Sequence, residues 1–246
     1  MLDDLKKELK SYASKEKAKF YPRFFKAGSG EYAEGDKFIG VSVPNCRMVA
    51  KKYENLSLQD LQEILSSKIH EERLVALLIL VEKFRKGDEG VKEEIYKFYL
   101  KNTKNINNWD LVDLSADKIV GDFLYGHPDC TTTFQGATFK GTGILYRLAK
   151  SDNVWERRIA IIATFYFIKS NRYAETLKIS EILLDDNHDL IHKGVGWMLR
   201  EVGKRSQKDL EGFLKKYYKV MPRTMLRYSI EKFPEDLRKK YLRGKI

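Results

Sequence analysis

The chain has 246 residues, of which 43% are hydrophobic and 33% charged, with 5 prolines and 16 glycines. That balance excludes a disordered chain and argues against a β-sandwich, and the dominance of Leu, Lys, Glu, Ala and Ile predicts an all-α protein. Lys and Arg number 46 against 35 Asp and Glu, a formal net charge of +11, which favours a polyanionic partner: nucleic acid first, an acidic membrane surface second.

In chain order, Leu2, Leu5, Leu9 and Tyr12 fall on one stripe of a first helix. Gly28 to Gly40 reads as a loop rich in glycine and charge. Ser42-Val43-Pro44 reads as a helix start, with proline in the first turn. Ser57 with Asp60 three residues on is a capping box. Further helices are expected from about His70, Val91 and Trp109. From about Gly126 to Gly143 the helical period lapses into Gly and Thr, and the stretch is expected to be an inserted loop. Periodicity resumes at Ile144, and Ile159 to Ile168 reads as a buried helix. No Pro/Ser-rich linker divides the chain, so residues 1–246 are expected to form a single domain.

Two cysteines, Cys46 and Cys130, cannot build a disulfide framework and suit a reducing compartment. Met1-Leu2-Asp3-Asp4 opens without an apolar signal core, and no run reaches the roughly 18 apolar residues of a spanning helix. The expected location is cytoplasmic.

Three segments resemble one another: His70 to Ala76, Val154 to Ala160, and Leu190 to Gly196. Each passes from charged or polar residues through a β-branched residue and a small one into bulky apolar side chains. Their separations are one or two multiples of about 40 residues, the period of HEAT-type helix pairs. The expected architecture is therefore an α-solenoid of HEAT-like antiparallel helix pairs with a concave basic face, suited to a long ligand.

Several residues stand out from their helices. Trp197 has Lys193, Gly194, Arg200, Glu201 and Lys204 on its own face, away from the apolar stripe through Val195, Met198, Leu199 and Val202. It either stacks on a base or sugar or packs on a neighbouring repeat. Trp109 and Asp113 are one turn apart. An aromatic face beside a carboxylate suits a developing cation, although by spacing alone a helix cap by Asn108 or Asp110 and a solvated Asp113 fit better. Arg157 and Arg158 open an otherwise apolar helix and need an anion, either Glu156 or Asp152 of the chain or a phosphate. His188 and His192 are four residues apart but lack the glutamate of a zinc motif, so no metal site is expected. Gly136 to Gly143 lacks the Gly-Lys-Ser/Thr ending of a phosphate loop.

Taken together, the chain resembles the AlkD-type DNA alkylation-repair family, HEAT-like repeat DNA glycosylases. The resemblance rests on Tyr32 to Val41, on Asn108-Trp109-Asp110-Leu111-Val112-Asp113, on Trp155 to Ile161, on Lys193 to Lys204 and on Met221 to Tyr228, and it covers about residues 20 to 245. It implies excision of N3- and N7-alkylated purines from duplex DNA, with no cofactor, by a monomer without an obligate protein partner. It places Asp113, Trp109, Trp197 and Arg158 in the catalytic site. Phe24 stands where the family carries a tyrosine in an Arg-aromatic context, so the hydroxyl is missing. Lys193, Lys204, Arg205, Arg223 and Arg227 are the expected further DNA contacts. Two other classes are compatible with the residues: a catalytically silent DNA-binding solenoid, and a HEAT scaffold for an acidic peptide.

Overall fold

Side-chain caps set several of the helix starts in the computed structural model, which describes residues 1–246. The helices pack into two compact units, Met1–Ser115 and Ala116–Ile246. The first contains α1 (Leu2–Ser11), α2 (Lys15–Phe24), α3 (Val43–Lys52), α4 (Leu58–Leu65), α5 (His70–Lys86) and α6 (Glu89–Lys101), and it ends in α7 (Trp109–Ala116). Ser14 accepts from the Lys17 amide at the start of α2. Ser57 and Asp60 form the expected reciprocal box at α4. Asp88 accepts from Val91 at 2.9 Å, which starts α6 two residues earlier than its apolar period suggests.

α5 is the centre of this unit. Every residue from His70 to Leu80 is buried, and α3, α4 and α6 all pack on it. Burial of charged side chains so close to an apolar run needs partners. Glu71 finds them in the segment before α3: its carboxylate accepts from the amides of Ile39 (3.2 Å), Gly40 (2.8 Å) and Val41 (3.2 Å). The same segment pairs as a short parallel bridge between Lys37 and Ile69. Gly40 is required here twice over. Its φ is +81°, and a β-carbon would lie 2.2 Å from the Ser14 carbonyl oxygen.

The second unit begins with a π-turn, Asp117–Gly121, that runs into α8 (Asp122–Gly126). A two-stranded hairpin, α9 (Gly143–Ala149), α10 (Val154–Lys169), α11 (Ala174–Ile182), α12 (Asp189–Gly203), α13 (Gln207–Tyr217), α14 (Arg223–Ser229) and α15 (Glu235–Leu242) follow. Asn153 caps α10 through the Trp155 amide at 2.9 Å. α10 is buried from Arg158 to Thr164 and touches α9, α11, α12 and the π-turn. α12 in turn packs on α10, α11, α13 and α14. The three similar segments are thus the three central helices, α5, α10 and α12, each packed on its neighbours in sequence. Gly196 lets α12 and α14 approach closely: a β-carbon there would meet Tyr228 Cβ at 2.5 Å and the Met225 carbonyl oxygen at 2.6 Å. The fold is all-α apart from the hairpin, and no helix is long and apolar enough to cross a membrane.

The stretch from Gly126 to Gly143 differs from the loop expected there. It holds β1 (Thr131–Phe134) and β2 (Ala137–Lys140), antiparallel, with Thr131 opposite Lys140 and Phe134 opposite Ala137. Gln135 and Gly136 both have positive φ, +48° and +79°, the geometry of a primed two-residue hairpin turn. Thr132 and Phe134 are buried while Thr131 and Thr133 face outward, so the β-branched run does alternate.

Candidate functional site

In the first unit the site grows from the N-terminus of α7. Trp109 and Asp113 lie one turn apart and are both half-buried. The fully buried Asn108 accepts from the Trp109 amide at 2.8 Å, and Asp110 accepts from that of Leu111 at 2.9 Å, so both polar residues hold the start of the helix. The Trp109 ring stacks on Phe25 (centroids 5.5 Å apart, planes at 24°) and meets Phe24 edge-on at 5.7 Å. Phe25 stacks in turn on Phe38 at 5.2 Å and on the His70 imidazole at 4.8 Å.

His70 closes this stack from below. Its Nε2 lies 2.9 Å from Asp110 Oδ2 and its Nδ1 3.3 Å from Asp36 Oδ2, and the side chain is buried. Burial alone would pull its pKa down. The charge and hydrogen bond of Asp110 and the hydrogen bond of Asp36 outweigh that, and the Arg73 guanidinium opposes them weakly, so the pKa is pushed up to about 9. Arg73 itself donates to Asp36 at 2.6 Å and to the Ser67 carbonyl at 2.8 Å. A buried chain Arg73–Asp36–His70–Asp110 therefore leads to the first turn of the helix that carries Trp109 and Asp113.

In the second unit, Arg158 on α10 is buried and donates through Nη1 to the Leu190 carbonyl, with its guanidinium against Gly194 of α12. A larger residue at 194 would crowd it, since a β-carbon would lie 3.2 Å from that nitrogen. Arg157 takes a carboxylate. Its Nε reaches Asp186 at 2.6 Å and its Nη1 the Ser151 and Asp152 carbonyls, whereas Glu156 accepts from the Ser151 hydroxyl. Trp197 is half-buried and tilted against Phe165 of α10 with centroids 5.9 Å apart, between the two arrangements its spacing allowed. Lys169 sits 4.9 Å from the Phe165 centroid.

The remaining expected contacts differ in how they are tied. Lys193 pairs with Asp189 at 2.6 Å, and Lys204 and Arg205 share Glu201 at 2.6 and 3.3 Å. Arg223 donates to the Leu242 carbonyl at 2.6 Å. Arg227 is exposed and holds no ion pair. His188 and His192 are both engaged at the start of α12, His188 accepting from the Leu190 amide and His192 bonding to the Asp186 carbonyl.

Residues 5–233 match the family described as DNA alkylation repair enzyme. The chain belongs to that family. Among solved structures, a predicted DNA alkylation repair enzyme from Enterococcus faecalis is similar in fold, with a TM-score of 0.65 at 15% identity over 91% of this chain and 97% of that one. At that identity the likeness concerns the fold alone. No curated protein matches the chain in sequence.

For a DNA alkylation repair enzyme, the least foreseeable part of the site is the buried ionic chain. Asp36 and Phe38 lie in a stretch read for its family likeness, and His70 and Arg73 read as the charged opening of a repeat. A signal does exist in the sequence: four consecutive polar residues, His70 to Arg73, stand at the head of a helix whose apolar run leaves no exposed face for them.

Proposed function

We propose that this protein is a monofunctional DNA glycosylase that excises N3- and N7-alkylated purines from duplex DNA in base excision repair, without enclosing a flipped base. The observation that carries the reading is Trp109 and Asp113 on one half-buried face of α7, in a member of the DNA alkylation repair family.

An N3- or N7-alkylated purine is already cationic. The C1′–N bond breaks with its electron pair going to the base, which leaves neutral, and the sugar becomes oxocarbenium-like. Asp113 stabilises that cation and orients the water that attacks C1′, and it accepts the water's proton. Trp109 and Trp197 pack on the deoxyribose and its neighbours. Arg158 contacts a phosphate, and Lys193, Lys204, Arg205, Arg223 and Arg227 neutralise others along a HEAT-like stack of helices. Phe24 contributes an apolar contact in place of a hydrogen bond. The hydrolysis calls on no cofactor and no lysine nucleophile, and a monomer suffices.

The test is single-turnover release of free methylated purine from alkylated duplex. Asp113→Asn keeps the size of the side chain and removes its charge. It should slow release by about 10²–10³-fold while binding is kept or tightened, because the charge matters chiefly in the transition state. Release at the wild-type rate by Asp113→Asn would remove the assignment and leave a silent DNA-binding protein as the better reading.

A further inference from the structure

α2 is unusual among the helices of its unit because none of its residues is buried. Two of its three aromatic side chains, Phe20 and Phe24, face outward as a pair, while Tyr21 packs on Phe25 and Phe38. Phe20 is 57% and Phe24 49% exposed, and the rings stack one turn apart with centroids at 5.8 Å and planes at 28°. Two adjacent exposed phenyl rings are a standing cost in water, and such a patch on a folded protein marks a contact surface.

We propose that Phe20 and Phe24 form a shelf on which an unpaired nucleobase of bound DNA stacks. The proposal rests on the function above only in taking DNA as the ligand. Two observations select this occupant. The shelf is continuous with the candidate site, since Phe24 meets Trp109 edge-on. The helix is strongly basic: Lys15, Lys17, Lys19 and Arg23 are exposed and hold no ion pair, against the single acid Glu16. Phosphates flanking a stacked base would be neutralised there, the arrangement of aromatic platforms in a basic setting that binds unpaired strands.

A paired duplex keeps its bases inside the stack, so the shelf predicts a preference for DNA with an extrahelical base. The probe is a duplex carrying one bulged 2-aminopurine, compared with the same duplex fully paired. The protein should bind the bulged duplex roughly tenfold more tightly, the lower end of what base–aromatic stacking supplies, and quench the 2-aminopurine fluorescence. In Phe20→Ala the ratio should fall towards one and the quenching should be lost, while Phe20→Trp should restore both. Phe20 is exposed, so the thermal midpoint of Phe20→Ala should match the wild type and exclude misfolding as the cause. An unchanged ratio in Phe20→Ala overturns the shelf. So does binding to phosphatidylserine vesicles that Phe20→Ala abolishes while the bulge preference stays. If no alkylated base is excised but the bulge preference is present and sensitive to Phe20, the glycosylase reading fails and the shelf stands. Excision without the preference gives the reverse.

Discussion

His70 Nε2 lies 2.9 Å from Asp110 Oδ2 inside the first unit, and the second nitrogen of the ring faces Asp36, so a buried imidazolium sits between two carboxylates. Its pKa of about 9 stands above the ordinary 6.5. The stability that His70 lends is therefore fully present below about pH 6.5 and is lost as pH rises towards about 9, to a limit of roughly 3 kcal/mol. Urea midpoints measured from pH 6 to 10 should fall across that window. In His70→Gln, which has no charge to lose, the curve should be nearly flat to about pH 8.5; above that the buried Cys46 thiol, pushed up to about 12, lowers stability in both proteins alike. A wild-type curve as flat as the variant's would show that the ring is neutral when folded.

Gly194 and Gly196 are two residues apart on α12 and should respond differently to alanine. At Gly196 the new methyl meets backbone and a β-carbon, which cannot move aside, and the expected loss is about 1–3 kcal/mol. At Gly194 it meets the end of the Arg158 side chain, which can shift. Gly194→Ala should cost less stability and, under the proposed function, more excision rate per kcal/mol lost. Thermal melts alongside single-turnover rates separate the two.

Cations free to meet phosphate should differ from those already paired. Arg227→Ala should lower the steepness of the salt dependence of duplex binding by about 0.9 in log–log slope, one released counterion. Lys204→Ala should change it less, because Arg205 remains beside the Glu201 carboxylate they share. Equal slopes for Arg227→Ala and wild type would place Arg227 away from the DNA.

Trp109→Ala and Trp197→Ala should weaken binding and excision together, because packing on a nucleotide acts in ground and transition states alike. Only Trp109→Ala should also lower the thermal midpoint markedly, since it uncovers Phe25 and the stack behind it. A Trp197→Ala variant that loses rate with affinity unchanged would assign that ring to the transition state alone.

The parts of the fold carried by local chemistry were legible in advance. The Ser57–Asp60 box, the Pro44 helix start and the buried run from Ile159 each depend on residues within a few positions of one another. The hairpin was less so, because Gln-Gly is a weaker turn signal than Asn-Gly and each strand is only four residues long. The network around His70 escaped for a different reason. Asp36, His70 and Asp110 are separated by 34 and 40 residues, and their meeting depends on how α5 and α7 pack, which no spacing rule encodes. Likewise, the carboxylate that Arg157 takes is Asp186, 29 residues beyond it, rather than one of the neighbouring acids that its spacing offered.

The three amides gathered by Glu71 have a consequence for the solubility of the chain. Residues 37–41 make a single bridge at Lys37 and then turn at Gly40, where φ is positive, and free backbone donors beside a bridge are where a second molecule can pair. Here the donors of Ile39, Gly40 and Val41 are occupied by a side chain from within the fold. The carboxylate thus satisfies these donors without offering an edge of its own, and the turn presents no row of free amides to a second molecule.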